Sequence, residues 1–88
     1  MAMSGADLRA CVRALMNDGT LPSTDPRSVN PATRASEVRI APVADAQCLA
    51  CGEVGPQITY RYSDGRIIRL HAFCDVLWQQ ERSRSRLA

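Results

Sequence analysis

The chain has 88 residues, of which 45% are hydrophobic and 23% charged, and its 11 basic and 9 acidic groups leave a formal charge of +2. A chain of this size buries only about 60–65% of the surface its unfolded form exposes, so it makes one small domain that gains from a staple or a second subunit. Its charge lacks the strong excess of a dedicated nucleic-acid binder, and no run approaches the roughly 18 apolar residues of a membrane span.

The start, Met-Ala-Met-Ser-Gly, has neither a basic n-region nor an apolar h-region, so the expected compartment is the cytoplasm. Ser4, with Asp7 three residues on, approximates a capping box, and Leu8, Cys11, Val12, Leu15 and Met16 follow at helical spacing. An amphipathic helix is predicted from about Gly5 to Asp18. Gly19 can take the left-handed cap conformation and Pro22 forbids regular continuation, so residues 1–19 form a first unit. Cys11 reads as a small apolar residue on that helix.

From Thr20 to Ser36 the chain carries Pro22, Pro26 and Pro31 among Ser, Thr, Asp and Asn, with Leu21 and Val29 as its sizeable apolar groups. Residues 20–36 therefore read as an irregular linker or an arm extended over the surface. Within the remaining unit, 37–88, the stretch Glu37 to Val43 alternates Val38, Ile40 and Pro42 with Arg39 and Ala41, which predicts a short strand that Pro42 keeps at an edge. Gln57 to Tyr62 and Arg66 to Leu70 are β-rich runs around Ser63-Asp64-Gly65. They predict a hairpin whose turn places Asp64 and Gly65 at positive φ. Ala72, Phe73, Val76 and Leu77 then mark one face of a helix running to about Arg82, with Trp78 in the core, and residues 83–88 are expected to fray.

Cys48 and Cys51 form C-x2-C, and His71 and Cys74 form H-x2-C after an interval of 19 residues. Each pair can ligate one ion from a single turn of backbone, and in a reducing compartment paired cysteines are metallated or redox-active more often than disulfide-bonded. Gly52 lets both sulfurs of the first pair point inward, as in a zinc knuckle. The second pair lies where a strand becomes a helix, and there the helix dipole favours a thiolate. Three thiolates and one imidazole suit one zinc ion per chain better than iron. Thiolates and ion together would bring the formal charge from +2 to +1. Asp75 could orient His71, cap the helix or stand in solvent as an acid of its first turn.

Knuckle, hairpin and a helix whose first turn carries the second ligand pair is the order of the treble-clef zinc finger, which Cys48 to about Arg82 resembles. The spacing is similar to that of the first zinc module of LIM domains. That family continues with a second ligand set, whereas Asp75 to Glu81 contains no Cys or His. The resemblance implies ligand roles for Cys48, Cys51, His71 and Cys74. It leaves function open, because treble clefs serve in DNA-binding, RNA-binding, ubiquitin-related and structural settings.

The expected fold class is therefore α+β: an N-terminal helix, an arm, and a treble-clef-like finger of knuckle, hairpin and C-terminal helix. Four closed ligands and a single His already used argue against an enzyme, leaving a thiol redox protein as a minor possibility. A binding module is the leading expectation, with a protein partner or homodimer ahead of nucleic acid and no small-molecule substrate. Arg61, Arg66, Arg69, Arg82 and Arg84 are candidate partner contacts, since guanidinium pairs with both carboxylate and phosphate. All eleven basic residues are Arg, which also fits a base-composition bias of the genome. A nucleic-acid-binding finger would use those same arginines, and a self-assembling protein would pair its first helix with the copy in a second chain.

Overall fold

Ser4, in extended backbone, accepts a hydrogen bond from the Asp7 N–H on its Oγ at 3.1 Å, and helix α1 (Gly5–Asn17) begins there. The bond satisfies one of the donors a helix start leaves free. The helix stops one residue short of the expected Asp18, whose N–H closes the last turn on Ala14, and Gly19 leaves it at φ +86°. The computed structural model describes residues 4–41 and 46–87, with side chains as far as residue 84 except that of Ala41. In that range it is α+β, with two helices and one three-stranded antiparallel sheet.

Residues 20–36 are irregular, as expected, but they do not lie loosely over the surface. Leu21, Pro26 and Ala35 are buried, and the Ala35 N–H donates to the Pro26 carbonyl at 2.8 Å. The Pro22 carbonyl accepts from Trp78 Nε1 at 2.9 Å. Prolines suit this role, because they have no N–H to satisfy while their rings and carbonyls remain available to the core.

Strands β1 (Glu37–Ala41), β2 (Gln57–Arg61) and β3 (Ile67–Leu70) pair in that order. β1 is an edge strand as expected, while Pro42 and Val43 lie outside the described residues. The hairpin forms with Arg61 facing Ile67 across β2–β3. The Gly65 N–H donates to the Tyr62 carbonyl at 3.0 Å and the Tyr62 N–H to the Arg66 carbonyl at 2.9 Å, which leaves Ser63, Asp64 and Gly65 as the loop. Within it Gly65 alone takes positive φ, at +94°. This corrects the expectation for Asp64, because a three-residue loop needs one left-handed position where a two-residue turn needs two. Asp64 instead accepts the Arg66 N–H on its carboxylate.

Alternation puts Ile58, Tyr60, Ile68 and Leu70 on one sheet face, and α2 packs there. The other face carries Thr59, Arg61, Ile67 and Arg69, together with Gln57, whose side-chain amide donates to the Ala46 carbonyl.

Helix α2 (Ala72–Leu87) has a different inner face from the one predicted. Cys74, Leu77 and Trp78 are buried, with Glu81 and Arg82 one turn on, while Phe73 and Val76 are 56% and 44% exposed. Trp78 is wholly buried and meets Tyr60 edge-to-face at 5.4 Å, within the favourable range for aromatic pairs. Asp75 neither orients His71 through its carboxylate nor stands in solvent: that buried carboxylate accepts the Tyr60 hydroxyl at 2.6 Å. Burial and the Asp75 charge push the phenol well above its ordinary range.

Arg82, expected as a partner contact, is used internally. It stacks 4.3 Å from the Trp78 ring and pairs with Asp25 at 3.3 Å. The helix also continues past the expected end at Arg82 to Leu87, while Ala88 and the side chains of 85–87, Arg86 included, lie outside the described residues.

α1 packs on α2, and its Leu8 and Val12 enter the core. Above them Glu81 receives Arg9 at 3.2 Å, Arg13 at 3.3 Å and Arg84 at 3.5 Å. The hydrogen bond from Arg13 does most to hold this carboxyl below the usual glutamate range, against the opposing effect of burial, with Arg9 adding to it. The apolar stripe that would have paired with a second copy is thus occupied within the chain. Among the described residues no helix is long and apolar enough to cross a membrane.

Candidate metal centre

Two tight pieces of backbone present the ligands. In the first, the Cys48 N–H donates to the Glu53 carbonyl at 2.8 Å and the Gly52 N–H to the Cys48 carbonyl at 2.9 Å, with Gly52 at φ +76°. This closes the knuckle and turns Cys48 and Cys51 the same way. The Leu49 N–H donates to the Arg69 carbonyl at 2.8 Å, fastening the knuckle to β3, and Cys11 Sγ donates to the Ala50 carbonyl at 3.2 Å, fastening it to α1. Cys11 thus supports the knuckle from outside the ligand set.

The second piece is the junction of β3 and α2. His71 stands between them, its carbonyl accepting the Asp75 N–H at 2.8 Å to start the helix, and Cys74 lies in the first turn. The ligand atoms of Cys48, Cys51, His71 and Cys74 all lie within 4.8 Å of one another, and this cluster can hold one metal ion. Cys51 Sγ is 3.2 Å from His71 Nδ1. A tetrahedral zinc with metal–sulfur bonds near 2.3 Å and a metal–nitrogen bond near 2.0 Å sets its ligand atoms roughly 3.5–3.8 Å apart. The observed spread admits that ion with small side-chain adjustments.

His71 is already oriented for the task. Its Nε2 lies 3.2 Å from the Val54 carbonyl, which can only accept, so the proton belongs on Nε2 and the Nδ1 lone pair is left for a metal. Gly55 stands behind the ring at φ +137°, and a Cβ there would come 3.1 Å from Nε2. We therefore expect Gly55→Ala to weaken zinc binding by about 10–100-fold, the usual cost of disturbing a ligand's support. Competition against a chromogenic chelator measures this, and unchanged affinity in a folded variant would show that the ring does not depend on that close approach.

The sulfurs crowd one another. Burial pushes the Cys48 thiol up, but hydrogen bonds from the backbone at Cys51, His71 and Ala50, with one from the Cys51 side chain, outweigh it and leave the thiol at about 7. Burial and the neighbouring Cys48 charge push Cys51 and Cys74 up. All three can stand as thiolates only with a cation among them, and a divalent ion would serve.

The candidate arginines do not converge. Arg61 and Arg69 lie on the sheet face away from α2. Arg66 lies at the hairpin end, 5.8 Å from the Tyr62 ring and 3.6 Å from Asp64, while Arg84 belongs to the Glu81 cluster. Sequence reasoning missed Val54 and Gly55; Gly-Pro at 55–56 signals a turn but not its position behind the imidazole. Comparison with protein families, curated proteins and solved structures gave no match for this chain.

Proposed function

We propose that Cys48, Cys51, His71 and Cys74 hold one structural zinc ion, and that the domain built around it is a binding module whose partner is another protein. The convergence of four ligand atoms within 4.8 Å carries this reading. Four protein ligands fill a tetrahedral shell, whereas catalytic zinc keeps a position for water or substrate. The order of knuckle, hairpin and ligand-bearing helix supports a treble-clef-like finger, and the donor set of three thiolates and one imidazole supports zinc over iron. When bound, the ion acts through charge and geometry alone; the proposed activity is recognition rather than catalysis.

The open sheet face favours a second reading. Arg61 and Arg69 stand there with Arg39, which pairs with Glu37 at 2.9 Å, and a phosphate backbone would suit such a face. Titration of the zinc-loaded chain with single- and double-stranded oligonucleotides separates the two. The protein-binding reading expects no complex that persists at physiological salt. Tight binding that falls steeply with salt and is lost in Arg61→Ala and Arg69→Ala would install the nucleic-acid reading in its place.

A further inference from the structure

We infer that the groove between α1 and α2 receives an acidic amphipathic helix from a protein partner. The inference rests on the binding-module reading and names its surface and the chemistry of its partner.

The two helices meet along their buried residues but leave an open trough of about 580 Å³ above the contact. Its α2 wall is Phe73, Val76, Leu77 and Gln80, spaced i, i+3, i+4 and i+7. That is the stripe one helix offers another. Phe73 and Val76 are 56% and 44% exposed although the core face of α2 lies elsewhere, so neither is required to be apolar by the fold around it. On the α1 wall Ala6 and Ala10 are small, which lets a third backbone approach closely. Two helical walls around an apolar floor make a seat for a helix presenting residues at i, i+3/i+4 and i+7.

Charge at the rim selects the occupant. Arg9, Arg13 and Arg84 surround the single carboxylate of Glu81, leaving a local surplus of two positive charges. Arg9 and Arg13 line the trough, and the Arg13 side chain is 50% exposed and that of Arg84, on the same Glu81 carboxylate, 63%, so guanidinium donors not used by Glu81 face solvent. A partner helix with Asp or Glu flanking its apolar stripe would pair with them. A second copy docking by the same surface would instead bring three guanidiniums against three, and a basic helix would meet the same repulsion.

The test uses the full chain, isotopically labelled, with zinc content and amide dispersion recorded first. The probe is a synthetic peptide of about 20 residues, long enough to be helical, with Leu at i, i+3/i+4 spacing and Glu at the flanking positions. Its twin carries Lys in place of Glu. The acidic peptide is expected to shift the amides of Ala6 to Arg13 and Phe73 to Gln80, and the Lys twin to leave them in place. Phe73→Asp and Arg13→Glu are each expected to weaken the acidic peptide at least about tenfold, with zinc content unchanged. A zinc-loaded, folded chain that binds neither peptide, binds both alike, or fills the groove by dimerising overturns the inference and leaves the zinc reading intact. A chain folded without zinc that still binds the acidic peptide does the reverse.

Discussion

Stripping the metal, or replacing Cys74 with serine, is expected to unfold the whole domain rather than loosen one loop. The candidate ligands come from two segments, the knuckle at 48–52 and the junction of β3 with α2, which the Leu49 N–H to Arg69 carbonyl bond already joins and which a bound ion would lock together through four side chains. Cys48, Ala50 and Cys74 are buried in the same cluster as Leu70, Leu77 and Trp78, so the candidate metal centre is one end of the core. Zinc binding to such a site contributes on the order of 10 kcal/mol, against a net stability near 5 kcal/mol for a small domain. Cys74→Ser removes a strong ligand and leaves a hydroxyl at a position only 2% exposed. Affinity should also fall with acid. Without a cation the site holds the Cys51 and Cys74 protons above the ordinary thiol range, so zinc must displace them. Circular dichroism and amide dispersion, followed with the zinc released by a chelator, measure the loss. A metal-free chain with native helicity and dispersion would show that the apolar core suffices and that the cluster is incidental.

The features legible in sequence were those set by neighbours a few residues away. The C-x2-C and H-x2-C pairs, the Ser4 cap and the Gly65 turn depend on local backbone geometry, and each appears where its spacing placed it. The errors fall where distant residues decide. The arm at 20–36 is polar and proline-rich, and nothing within it announces that its Pro22 carbonyl meets an indole 56 residues later. In α2, Phe73 and Val76 are the more apolar choices, but the helix is phased by the burial of Cys74, in the candidate metal cluster, and of Trp78, which turns them outward. Glu81 and Arg82 look like solvent-facing charges. They are buried because Arg9, Arg13 and Asp25, all far away in sequence, neutralise them.

The second large effect separates the apolar core from the metal. Trp78→Ala is expected to remove about 3–5 kcal/mol, the usual range for truncating a buried aromatic and comparable with the domain's whole margin. Three contacts converge on this ring: Tyr60 edge-on at 5.4 Å, the Arg82 guanidinium at 4.3 Å and the Pro22 carbonyl on Nε1 at 2.9 Å. Its loss would therefore free the arm and leave Arg82 half-paired as well as opening a cavity. Trp78→Phe keeps a ring for Tyr60 and Arg82 but removes the donor to the half-buried Pro22 carbonyl, and should cost about 1 kcal/mol, the net worth of a typical hydrogen bond, beyond the loss of ring area. Both variants keep all four ligands, so they should still take up zinc, and denaturant melts of the loaded proteins report the core alone. The expected order is wild type, Trp78→Phe, then Trp78→Ala, with amides of residues 20–36 losing protection first in the phenylalanine variant. If loaded Trp78→Ala melted with wild type, the metal would be holding the fold almost unaided, and the arm and α1 would be ornaments on a zinc-centred finger. If it failed to fold even with zinc in excess, the ion and the core would each be necessary, and the packing of α1 and the arm against α2 would be as much a condition of the fold as the four candidate ligands.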